Sequence, residues 1–132
     1  MGVDITAIAQ VKDNEKWKTV ESDICNFRDY KFFHLIGGEY AKLIPPKGLP
    51  KDLTKNDIPE DLVIFFMGNH WAGGLEDGWL TLEELCYLKV YAIQNNIDCL
   101  SSINKAIDHL LNLRNKYDVS YNDIRIVWVF TW

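Results

Sequence analysis

At 132 residues, with 48% hydrophobic and 13% aromatic side chains, the chain has the length and apolar content to bury one core, which excludes intrinsic disorder. A formal net charge of −5 argues against direct nucleic-acid binding, because a surface that tracks phosphates is basic. No apolar run approaches the roughly 18 residues of a membrane span, and MGVDITAIAQ lacks the basic-then-apolar pattern of a signal peptide.

The three cysteines, Cys25, Cys86 and Cys99, are odd in number and follow no metal-ligand spacing. Reduced thiols in a cytoplasmic protein are the expected state.

Val3 to Val11 alternates. Val3, Ile5, Ala7, Ala9 and Val11 share one face, with Asp4, Thr6, Ile8 and Gln10 on the other, so a strand is expected. Asp13-Asn14-Glu15 reads as a turn, and Lys16 to Val20 as the return strand of a hairpin. Asn26 is placed to cap a helix from Phe27 to about Ile36, stopped by Gly37-Gly38. Phe27, Tyr30 and Phe33 give it a buried aromatic stripe, with His34 as a packed histidine.

Glu39 to Asp61 changes character and holds all four prolines, Pro45, Pro46, Pro50 and Pro59. PPKGLP should be stiff and extended, either covering the sheet edge or contacting a partner. Leu62 to Met67, LVIFFM, is a continuous apolar run of strand length, expected as a central strand buried on both faces.

The glycine-rich, aromatic stretch 68–79 follows, and then a strongly specified helix. Thr81 is the expected N-cap, with Glu84 completing a capping box and Leu80 and Leu85 a hydrophobic staple. This helix should end near Gln94, at Asn95-Asn96. Leu100 to Tyr117 carries an apolar stripe of Leu100, Ile103, Ile107, Leu110 and Tyr117, with Arg114 and Lys116 at the negative end of its dipole. Ile124 to Thr131 is the last strand. Ile124, Ile126, Trp128 and Phe130 lie on one face, with Val127 and Val129 on the other.

The expected fold is a single α+β domain over 1–132, with four strands in a largely antiparallel sheet, three helices and the order β-β-α-β-α-α-β.

Polar and aromatic side chains on a loop held by a rigid helix are common in binding sites; the alternative is an ordinary surface turn whose two tryptophans cover the core edge. The candidate binding residues are Tyr40, Pro46, Gly48, Pro50, His70, Trp71, Asp77 and Trp79, on the proline loop and the loop before Thr81. Trp71, Trp79 and Tyr40 would be its aromatic anchors. No P-loop, GxSxG, CxxC or HExxH pattern occurs. No catalytic residue, metal or cofactor is assigned.

MGVDI, FRDYKFFHLIGG, PPKGLP with Asp52, GWLTLEEL and IRIVWVF occur in this order. Together they resemble a family of small uncharacterised bacteriophage and prophage proteins. Its members carry a histidine after the opening DI and a histidine-rich stretch before the WLTLEEL helix. Here Thr6 stands at the first place and LEDGW at the second. Asp4, Asp77, Trp79, Pro46, Gly48 and Pro50 match the pattern.

The resemblance implies a phage accessory protein acting in the host cytoplasm. The leading expectation is a non-enzymatic binder of a host protein or a small nucleotide-like ligand, such as a counter-defence inhibitor. The alternatives are a small metal-dependent hydrolase or nucleotide-processing enzyme using Asp4, His70 and Asp77, and a virion or assembly component. An exposed aromatic loop is also consistent with a homo-oligomer.

Overall fold

The computed structural model describes residues 2–68 and 73–131, and shows an α+β domain. Strand β1 (Asp4–Asp13) pairs with β2 (Lys16–Ile24), and helix α1 (Tyr30–Gly37) follows. A long covering segment then leads through two short 3₁₀ turns, Lys55–Asp57 and Glu60–Leu62, into the five-residue helix α2 (Val63–Met67). Strand β3 (Gly78–Thr81), helices α3 (Leu82–Gln94) and α4 (Leu100–Tyr117) and strand β4 (Ile124–Thr131) complete the order. The sheet is antiparallel throughout, with strand order β2-β1-β4-β3.

The β1–β2 hairpin closes through Asn14 and Glu15, both in the left-handed region, at φ 50° and 64°. That geometry matches the right-handed twist of the flanking strands.

Two layers cover the sheet. On one face Ala7, Ala9, Val11, Ile124, Ile126, Trp128 and Phe130 pack under α1, α3 and α4. On the other, Ile8, Val127 and Val129 meet Ile58 and Phe66, with Leu49, Leu53, Leu62 and Val63 around them. The proline-rich segment is therefore the second layer of the core rather than a wrap along the sheet edge. It also explains why Ile8 and Gln10, on the less apolar face of β1, are buried.

Three further expectations need correction. LVIFFM is not a central strand. Only Phe66 of its last five residues is buried, and Ile64 is 75% exposed. Pro59 precedes a 3₁₀ turn carrying Glu60 and Asp61, and acidic residues in a first turn favour helical geometry. An apolar run this short does not distinguish strand from helix by periodicity.

The third strand is instead Gly78–Thr81, which spans the end of the stretch read as loop and the expected staple and cap residues Leu80 and Thr81. The first helix begins at Tyr30 rather than Phe27, with Asp29 rather than Asn26 as its cap. Asp29 Oδ1 accepts from Lys31 N at 3.1 Å and Phe32 N at 3.2 Å. Its second oxygen accepts from the Ser102 hydroxyl at 2.5 Å, which ties α1 to α4.

The capping box at Thr81 forms as expected. Glu84 N donates to Thr81 Oγ1 at 3.2 Å and Thr81 N to Glu84 Oε1 at 3.0 Å. Leu80 and Leu85 are buried over it.

Candidate functional site

The two loops expected to form a site converge at the start of α3. Lys47 Nζ lies 3.7 Å from the centroid of the Trp79 ring and 2.5 Å from Glu84 Oε1. The carboxylate that caps α3 therefore also anchors the proline loop. Pro46 is half-buried, Gly48 is exposed with φ +76°, and Pro50 is buried, with its carbonyl accepting from Leu53 N at 3.1 Å. Tyr40 is half-buried, donating its N–H to the His34 carbonyl at 3.0 Å while its ring meets the His34 ring edge-on. His70 and Trp71 lie outside the described residues.

Asp77 and Trp79 have structural partners. Asp77 Oδ1 accepts from Phe130 N at 3.0 Å, extending the β3–β4 ladder by one bond. Glu76 N donates to the Gly37 carbonyl at 2.7 Å, and Trp128 Nε1 donates to the Glu76 carbonyl at 3.1 Å. Residues 76–77 are thus clamped between α1 and β4.

Asp4 lies at the same end of the sheet, where β1 meets Thr131. It accepts from Arg28 Nε at 2.7 Å, and this bond holds its carboxyl below the usual range. Both partners are about half exposed, so the pair adds little stability. Among the described residues no group of three or more His, Cys, Asp or Glu side chains is arranged to hold a metal ion.

The Trp79 ring leads to a feature the sequence did not announce. The Arg125 guanidinium lies 5.1 Å from that ring and 4.0 Å from the Trp17 ring. Only 3% of its side chain is exposed. Its Nε donates to Gln10 Oε1 at 2.9 Å, and Gln10 Nε2 donates to Thr19 Oγ1 at 3.2 Å. The Thr19 hydroxyl in turn donates to the Asp57 carbonyl. One guanidinium nitrogen sits 3.5 Å from Asp52 Oδ1 without a hydrogen bond. Burial pulls the Arg125 pKa down, and Asp52 opposes that pull. This cluster fastens the covering segment onto the sheet.

The apolar concavity lies beside the proline loop. Leu43 and Ile44 face Tyr87, Val90, Tyr91 and Gln94 of α3 across a groove of about 430 Å³. Tyr87 is 56% and Val90 54% exposed. The Tyr87 hydroxyl donates to Glu83 Oε1 at 3.0 Å, and this bond raises its pKa.

Sequence reading placed the aromatic anchors on Tyr40, Trp71 and Trp79 and missed Leu43, Tyr87 and Val90. The available signal was α3 itself. Leu82, Leu85, Leu88 and Ala92 serve the core, yet Tyr87, Val90 and Ile93 are apolar on the outside. A helix that is apolar on more than its core face has something further to cover.

Comparison with protein-family models, curated proteins and solved structures gave no match. The functional reading therefore rests on this geometry and on the sequence. Among the described residues no helix is long and apolar enough to cross a membrane.

Proposed function

We propose that this chain is a non-enzymatic binding protein whose groove between residues 43–44 and α3 takes an apolar segment of a protein partner. The carrying observation is the groove itself, with Leu43, Tyr87 and Val90 exposed around one concavity. Contiguous exposed apolar surface favours an interaction site, and tyrosines are frequent binding anchors. None of the residues lining the groove is cationic, which favours a polypeptide over a phosphate-bearing nucleotide.

Resemblance to bacteriophage proteins supports a host protein as the partner and the host cytoplasm as the place of action. Counter-defence inhibition is one form this takes. The binding surface then comprises the proline loop from Tyr40 through Pro46, Gly48 and Pro50, together with α3. Lys47 and Trp79 hold the loop in position.

The test is capture from host lysate followed by titration of the purified partner. Tyr87→Ala combined with Leu43→Ala should weaken affinity at least tenfold, and Asp77→Asn in a folded protein should leave it unchanged. Calorimetry against a panel of linear and cyclic nucleotides supplies the opposing arm. Tight nucleotide binding that survives the Tyr87 and Leu43 changes would overturn the reading.

A further inference from the structure

The end of the groove at the first turn of α3 carries an unpaired negative charge. At about 100° of rotation per residue, Tyr87, Val90, Tyr91 and Gln94 share one arc of the helix, and Glu83 falls inside that arc one turn before Tyr87. The Tyr87 hydroxyl donates to Glu83 Oε1 at 3.0 Å, which holds the carboxylate at the head of the groove. Among the described residues no lysine, arginine or histidine forms an ion pair with Glu83. Tyr87 is its only side-chain partner there, which leaves Oε2 open to a donor.

The neighbouring cations do not neutralise it. Lys47 is committed to Glu84 at 2.5 Å. Lys89 lies on the far side of α3 from the arc that lines the groove. Lys42, beside Leu43 on the opposite wall, is exposed, and no hydrogen bond or ion pair fixes its side chain. At the other end of the arc, the Gln94 side chain can both donate and accept, as a passing peptide group requires. From Glu83 to Gln94 the helix rises roughly 16 Å, the length of about five extended residues.

We propose that the groove takes a short apolar segment of a protein partner that carries a lysine or arginine at one end, and that Glu83 selects this cation. The inference rests on the partner reading above and gives that partner its chemistry. A carboxylate already held in place loses little freedom on binding, and a lysine or arginine donates to it with a charge-assisted hydrogen bond. The net charge of −5 also draws a basic segment from a distance. The apolar walls supply most of the affinity, and Glu83 supplies the discrimination.

Fluorescence anisotropy on the full chain tests this with three labelled heptapeptides. Each has the same core of leucine and phenylalanine, with lysine, glutamine or glutamate at both ends. The lysine peptide should bind about three- to fivefold more tightly than the glutamine peptide, the range of a partly exposed ion pair. The glutamate peptide should bind most weakly, and the lysine advantage should shrink as salt is added. Glu83→Gln, with an unchanged circular dichroism spectrum, should lose most of that advantage. Equal binding of the lysine and glutamine peptides by the wild type overturns the inference while leaving the groove reading in place. So does a lysine preference undiminished in Glu83→Gln. Failure of all three peptides to bind at millimolar concentration overturns both.

Discussion

Arg125 is a cation almost removed from water, held between two indole rings with one hydrogen-bond acceptor, Gln10. A buried charge is tolerated when its donors are met, and one guanidinium nitrogen here already lacks a hydrogen bond. Removing Gln10 would leave Nε unmet as well. Gln10→Leu should therefore lower unfolding stability by about 2–3 kcal/mol. The double variant Gln10→Leu/Arg125→Met should recover most of that loss, because an apolar pair of similar size carries no desolvation cost. Urea unfolding of the four proteins in the cycle measures the coupling. Strictly additive effects of the two changes would show that Gln10 does not serve the charge.

At the scale of elements, α1, β4 and residues 75–77 meet at Gly37. A Cβ there would collide with the Glu76 carbonyl and lie 2.9 Å from Phe130 Cε2. The first neighbour is backbone, already bonded to Trp128, and cannot move cheaply. Gly37→Ala should cost about 1–3 kcal/mol, read as a shift in thermal midpoint.

Most elements were legible from sequence because their signals are local. The cap at Thr81, the stripe along α4 and the alternation in β4 lie within a few residues of one another. The misread ones depend on distant partners. Gly78–Thr81 is a strand because Trp79 and Leu80 pair with Val127 and Ile126. LVIFFM is helical because it lies over a sheet face rather than within the sheet. The same limit hid the groove, whose walls come from residues 43–44 and α3. The proline loop and Trp79 were legible as belonging together, but their joint role through Lys47 and Glu84 was not.

For the molecule as a whole, the buried thiols shape stability at high pH. Burial pushes Cys25 up to about 12 and Cys99 up to about 11, from an ordinary value of 9.0. Above pH 9.0 the unfolded chain loses these protons while the folded chain retains them, so stability falls as pH rises. Each thiol contributes a slope of about 1.4 kcal/mol per pH unit until its folded value is reached. The double variant Cys25→Ala/Cys99→Ala should show a flatter alkaline limb in urea midpoints measured on either side of pH 9.0. An unchanged limb would place the alkaline sensitivity elsewhere.

The position of β4 has a consequence for synthesis. It lies between β1 and β3, and Gln10 waits for Arg125 across 115 residues of chain. A ribosome therefore releases the β1–β2 hairpin long before the strand that closes its other side. At ordinary elongation rates the nascent β1 edge stays unpaired for roughly ten seconds. Throughout that interval Ala7, Ile8 and Ala9 form an open template for another chain, and a nascent-chain chaperone has its clearest target there.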